Sequence, residues 1–121
     1  MIYKIGMLCK HFKGKTLQEK NIYKIIKLGV EGKNIDTTTI TYTGDGDLLS
    51  AENLVVYANI FQNNKLFARE YKDISSELST EKQHLFDQIL KVQPLTIEEI
   101  AIVNSPEFIE IKTALTQEKF Q

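Results

Sequence analysis

The chain changes its pattern near Ser75, and this change limits the folds open to it. Before that point, short runs rich in β-branched and aromatic residues are separated by Gly or Asn, which is typical of strands and turns. After it, helix-start signals and helical spacing of apolar residues dominate. We therefore predict an α+β fold with a small β-domain over residues 1–74 and a helical appendage over residues 75–121.

Five strands are predicted in the first part. They cover residues 5–12, 21–29, 35–43, 54–61 and 66–71, and residues 62–65 form the hairpin turn between the last two. In the third strand, threonines at every second position indicate a solvated or edge surface. We expect a small antiparallel, SH3-like β-barrel or a strongly bent sheet of about five strands.

Two or three helices are predicted in the second part. The first begins at residue 79 or 80 and runs to about residue 92, because Pro94 stops it. Thr96 and Glu99 have the spacing of a capping box, and Pro106 behind a serine marks a third start. Helices this short are marginal alone, so we expect them to pack on the β-domain, on each other or on a second copy of the chain.

The net charge of −1 hides an uneven distribution. Residues 1–33 carry eight lysines against two glutamates, a net charge of +6, and the remaining seven basic and fourteen acidic residues give −7. The basic end is expected to contact nucleic acid or an acidic protein surface. Alternatively, the lysines are only the solvated face of strands. The candidate binding face comprises Lys10, His11, Lys13, Lys15, Lys24 and Lys27.

Three motifs follow one another in the first part: HFKG at residues 11–14, LVVY at residues 54–57 and LFAR at residues 66–69. Their order resembles a family of short bacterial proteins, domain of unknown function 1653, over roughly residues 5–74. Phe67 stands where that family has tryptophan, Glu70 stands where it has proline, and the link over residues 31–53 is longer. The resemblance implies a small, mostly antiparallel β-domain and no known activity, cofactor or catalytic residue.

Groups for catalysis or metal binding are sparse. Cys9 and His11 lie on the same face of a predicted strand. We expect Cys9 to be a small core residue and His11 to be a polar residue at the end of the strand. One cysteine and two histidines lack the spacing of a zinc site. Asp45 and Asp47, in a glycine-rich turn, are typical of a turn without a cation. We expect no catalytic residue, no metal and no cofactor.

The favoured function is a non-enzymatic binding module with a basic face for an acidic protein or nucleic acid. The alternative is a small-ligand or enzymatic pocket between the β-domain and the helices, built from His11, Tyr57 and Arg69. Arg69, the only arginine, is expected to pair with Glu70 or Glu52, or to act as an anion-binding fork. A homodimer through the helical tail is a further expectation.

The location follows from what the sequence lacks. No apolar run approaches the ~20 residues that a membrane helix needs, and the N-terminus has no signal-peptide pattern. The single cysteine, Cys9, excludes an internal disulfide and favours a reducing compartment. We therefore expect a cytoplasmic protein without a membrane partner.

Overall fold

The computed structural model describes residues 2–120. The first residue of the predicted β-domain and the last residue of the predicted helical appendage lie outside the described residues. One sheet forms its centre, with the strand order β3-β5-β4-β2-β1-β6. The strands are β1 (Leu8–His11), β2 (Ile22–Val30), β3 (Ile40–Tyr42), β4 (Leu54–Asn59), β5 (Lys65–Glu70) and β6 (Val92–Pro94). The α-helices in residues 2–120 are α1 (Tyr71–Ile74), α2 (Thr80–Phe86), α3 (Ile97–Val103) and α4 (Pro106–Phe120).

This arrangement confirms the predicted α+β class with a helical appendage. The sheet is open, with β3 and β6 at its edges, which is compatible with a bent sheet and not with a closed barrel. It is mixed rather than purely antiparallel, because β3 runs parallel to β5. The other pairs are antiparallel.

The sixth strand comes from the part predicted to be helical. α2 ends at Phe86, Asp87 adopts a left-handed conformation with φ of 50°, and Val92 pairs with His11. The buried amide of Gln88 holds this turn, since it donates to the carbonyls of Lys10, Leu90 and Lys91 at 3.1, 2.8 and 3.2 Å. The prediction of a helix to residue 92 was therefore wrong, and the domain boundary at residue 74 stays a prediction.

The predicted third strand is shorter than expected. The carboxylate of Asp36 accepts hydrogen bonds from the backbone nitrogen and the hydroxyl of Thr38, at 3.0 and 2.6 Å. A short acidic side chain that bonds its own backbone in this way stabilises a turn and competes with strand pairing. Only residues 40–42 pair with β5.

The helix start at Thr96 is as predicted. Its hydroxyl accepts from the backbone nitrogen of Glu99 at 3.1 Å, and the carboxylate of Glu99 accepts from the backbone nitrogen of Thr96 at 3.0 Å. This reciprocal pair is a complete capping box. Over residues 2–120, no helix combines the length and hydropathy of a membrane span.

Apolar side chains are buried on both sides of the sheet. On one side, Ile25 and Val55 pack beneath Tyr3 and Ile74, which belong to the N-terminal segment and to α1. On the other side, Ile22 packs with three residues of the tail. A further cluster on that side joins β4 and β5 to the link between β2 and β4. The tail residues packed on Ile22 are Leu95, Val103 and Phe108.

Two buried lysines fasten the tail to the loop between β1 and β2. The ammonium group of Lys20 donates to the carbonyls of Phe12 and Phe86 at 2.8 and 2.9 Å. The ammonium group of Lys112 donates to the carbonyls of Gln18 and Lys20 at 2.8 and 2.6 Å. Since a buried charge needs hydrogen-bond partners, these contacts fix the loop against α2 and α4.

We expect Lys20→Met to lower the free energy of unfolding by about 1–3 kcal/mol, because it leaves two carbonyls without a donor. Lys24→Met is the control, since Lys24 is exposed, and it is expected to change stability by no more than about 0.5 kcal/mol. Urea unfolding measures both variants. Equal losses in the two variants would contradict a structural role for the Lys20 ammonium group.

Candidate functional site

One face of the sheet gathers aromatic and charged side chains from four strands. Cys9 pairs with Tyr23, and Tyr57 pairs with both Ile25 and Phe67. Because directly paired residues share a face and side chains alternate along each strand, the register places five residues together. We call this surface the tyrosine face, and its residues are His11, Tyr23, Tyr57, Phe67 and Arg69.

The rings on this face form a continuous run across the strands. The ring centroids of His11 and Tyr23 are 6.3 Å apart, those of Tyr23 and Tyr57 are 4.6 Å apart, and those of Tyr57 and Phe67 are 5.8 Å apart. The ammonium group of Lys65 lies 5.4 Å from the centroid of the Phe67 ring, within cation–π range. Tyr57 is buried, whereas His11, Tyr23 and Phe67 are half-buried.

A charged cluster borders the rings. Asp73, in α1, accepts a hydrogen bond from Nε of Arg69 and another from Nζ of Lys91 at 2.9 Å. Burial alone would raise the pKa of Asp73, but the hydrogen bonds from Lys91 and Arg69 outweigh it and lower that pKa. The carboxylate is therefore ionised at neutral pH and holds two cations, so the cluster carries a net positive charge.

His11 is neutral in this environment. Burial, and to a smaller extent the nearby positive charges of Lys13, Arg69, Lys91 and Lys20, lower its pKa to about 4. Its Nδ1 atom accepts a hydrogen bond from the backbone nitrogen of Lys13 at 3.3 Å. A neutral imidazole that accepts at Nδ1 carries its hydrogen on Nε2, so His11 is a hydrogen-bond donor there.

The tyrosine hydroxyls also stay protonated. Burial, together with the neighbouring Tyr57, raises the pKa of Tyr23 to about 12, although Asn21 and Arg69 oppose the shift. Burial likewise raises the pKa of Tyr57, although Thr43 and Arg69 oppose the shift. Both phenols are therefore neutral at physiological pH. Neither forms the phenolate that acid–base chemistry would use.

The structure divides the predicted basic face. Lys10 is buried, and its ammonium group pairs with Glu99 at 2.6 Å. The prediction that Lys10 presents its charge to a partner was therefore wrong. Lys24 pairs with Leu8 and therefore lies on the side opposite the tyrosine face. The predicted face is divided because neighbouring residues on a strand point to opposite sides of the sheet. Lys13, Lys15, Lys24 and Lys27 are exposed.

The three residues predicted for a ligand pocket do come together. His11, Tyr57 and Arg69 share the tyrosine face, and the charge of Arg69 is close enough to lower the pKa of both other groups. Three clefts of about 450, 470 and 510 Å³ lie elsewhere, and none of these three is lined by any of them. The arrangement is thus a binding face rather than an enclosed pocket.

Two further predictions concern the ion pair of Arg69 and the burial of Cys9. Arg69 pairs with Asp73 rather than with Glu70 or Glu52, because the chain passes from β5 directly into α1 and brings Asp73 to the end of the strand. Cys9 is fully buried, and burial raises its pKa to about 12, so the thiol is an unreactive core group as predicted.

Four residues of the site were missed from the sequence. They are Tyr23, Phe67, Asp73 and Lys91. Tyr23 and Phe67 could be recognised in the sequence as aromatic residues of predicted strands. Their alignment with the other rings depends on the strand register. Asp73 gave no signal, because its contact with Arg69 joins the end of β5 to α1 and does not follow from helical spacing. Lys91 gave no signal, because it reaches the site only through the unexpected strand β6.

Comparison with known proteins gives no assignment. No family model matches the chain, and neither a curated protein nor a solved structure is significantly similar to it. The resemblance to the domain of unknown function 1653 therefore stays a prediction.

We expect stability to depend on pH through His11. An unfolded histidine titrates near pH 6.5, whereas folded His11 stays neutral down to about pH 4. Between these values the unfolded chain binds more protons, so stability falls as the pH drops from 6.5 towards 4. His11→Gln should reduce this fall. Urea unfolding across the window measures it, and a stability difference between the two proteins that does not vary with pH would contradict the burial argument.

Proposed function

We propose that the chain is a non-enzymatic module that binds single-stranded nucleic acid on the tyrosine face. The observation that carries this proposal is the run of rings from Tyr23 through Tyr57 to Phe67, with centroid separations of 4.6 and 5.8 Å. Tyr57 is the buried centre of this run, and the half-buried rings of Tyr23 and Phe67 on either side of it offer stacking positions to bases of any sequence.

The charges around the rings favour the same ligand. Lys13 and Lys65 are exposed, and Lys91 and Arg69 are half-buried beside the rings. Asp73 neutralises only one of these four cations. Binding depends on the local potential, so the net charge of −1 for the whole chain does not oppose an anionic ligand on this face.

An acidic protein would use the same cations but would leave the rings without a specific role. A small ligand in an enclosed pocket is less favoured, since the clefts of about 450–510 Å³ are lined by other residues. A single strand uses both the rings and the cations and needs no enclosed cavity. We place this activity in the cytoplasm, as the sequence predicts.

A homodimer through the helical tail is a second proposal, supported by apolar side chains that α3 and α4 leave exposed. Ile97 is 83% exposed, and Ile102, Ile109 and Ile111 are 46%, 43% and 48% exposed. Exposed apolar surface of this kind favours association. Size-exclusion chromatography tests it: elution as a dimer is expected, and elution as a monomer at all concentrations would contradict it.

We expect a labelled single-stranded oligonucleotide of mixed sequence to bind with an affinity that falls as salt rises, with a log–log slope of about −0.7 for each phosphate contacted. Tyr23→Leu keeps an apolar side chain but removes the ring, and should weaken binding roughly tenfold. Fluorescence anisotropy measures both effects.

Tyr42→Leu is the matched control, because Tyr42 is a half-buried strand tyrosine that pairs with Ala68 on the opposite side of the sheet. It should leave binding unchanged. Equal effects of the two variants, or affinity independent of salt, would contradict the proposal.

A further inference from the structure

Arg69 presents part of its guanidinium group without a partner. Its Nε atom donates to Asp73, and within the described part of the chain neither terminal nitrogen has a hydrogen-bond acceptor. Arg69 is half-buried, with 26% of its side chain exposed. Water can therefore accept hydrogen bonds from only some of its terminal N–H groups. A guanidinium group held on one edge presents its other edge as a planar fork suited to oxyanions.

Lys91 lies beside this fork through a shared acid. Asp73 binds Arg69 with one carboxylate oxygen and Lys91 with the other, the latter at 2.9 Å. One negative charge therefore holds two positive charges in place and leaves a positive excess. The carboxylate fixes both cations through side-chain contacts from α1, so their positions are set before any ligand binds.

The surroundings add donors and further positive charge. The positive groups near His11 are Lys13 and Lys20 in the loop between β1 and β2, Arg69 in β5 and Lys91 before β6. The acid that contacts this group is Asp73. His11 itself is uncharged and carries a hydrogen on Nε2. A ligand at this place thus meets donors from several directions.

We propose that Arg69 and Lys91 form a binding site for one phosphate group at the border of the tyrosine face. The inference rests on the proposed function, since a strand with bases on the half-buried rings of Tyr23 and Phe67 would bring a backbone phosphate to this border. A phosphate has oxygens in several directions and can accept from separate donors at once, whereas a carboxylate has two oxygens in one plane. A free phosphate group has the same chemistry, and the experiment separates the two sources.

The first measurement uses inorganic phosphate. Arg69 is the only arginine in the chain, so its Nε–H signal in a nitrogen-15 NMR spectrum is assigned without ambiguity. We expect a saturable shift of this signal on addition of phosphate, and none on addition of sodium chloride at the same ionic strength. Lys91→Gln should weaken phosphate binding about tenfold, since it removes a hydrogen bond to a charged group.

The second measurement uses the oligonucleotide. Arg69→Gln should weaken binding about tenfold and reduce the magnitude of the salt slope by about 0.7, the value for one lost phosphate contact. Arg69→Lys keeps the charge beside Asp73 but loses the fork, so it should also weaken binding and it serves if Arg69→Gln does not fold. Lys24→Gln is the matched control, because it removes an exposed charge from the opposite side of the sheet.

The outcomes separate this site from the proposed function. Phosphate binding at Arg69 without oligonucleotide binding would support the site, with a free phosphate group as its ligand, and contradict the proposed function. Oligonucleotide binding that Arg69→Gln, Arg69→Lys and Lys24→Gln affect equally would overturn the site and leave the function. A shift of the Arg69 signal that sodium chloride reproduces would also overturn the site.

Discussion

The ammonium groups of Lys20 and Lys112 hold the second half of the chain against the first. Each is buried and each donates to two backbone carbonyls, at distances from 2.6 to 2.9 Å. A buried ammonium group without acceptors is costly, so the loop after β1, the end of α2 and the middle of α4 must take up positions that supply them. Burial lowers the pKa of Lys20, which reflects this cost.

This constraint determines which surface is left for a ligand. With the loop fixed, the end of β1 is fixed too, and His11 faces the same side as Tyr23 and Arg69. The tail packs on the other side of the sheet, around Ile22. The tyrosine face is covered by Tyr3 and α1 in one part only, and the rest keeps half-buried rings beside paired cations.

Local patterns predicted much of the fold. The strands β2, β4 and β5 lie close to the positions that β-branched and aromatic residues indicated, and the capping box at Thr96 is complete. Each of these depends on neighbours within a few residues. The strand β6 was missed because the side chain of Gln88 donates to the carbonyl of Lys10, which is distant in sequence. The spacing of apolar residues along the chain carries no information about such a long-range contact.

The site was predicted in part for the same reason. His11, Tyr57 and Arg69 were identified by residue type, and the strand register brings them to one face. The basic face was wrong for Lys10, because counting charges cannot show that Glu99, eighty-nine positions further on, neutralises it. Lysines at neighbouring strand positions also alternate between sides, so a basic segment does not make a basic surface.

The most direct test of the tyrosine face is to detect which rings touch the bound strand. Intermolecular nuclear Overhauser effects between base protons of a single-stranded oligonucleotide and the aromatic protons of the protein give this contact directly. We expect such effects for Tyr23 and Phe67 and none for Tyr42, which lies on the opposite side of the sheet. Effects confined to Tyr42, or to the exposed isoleucines of α3, would show that the strand binds elsewhere and would contradict the assignment of this face.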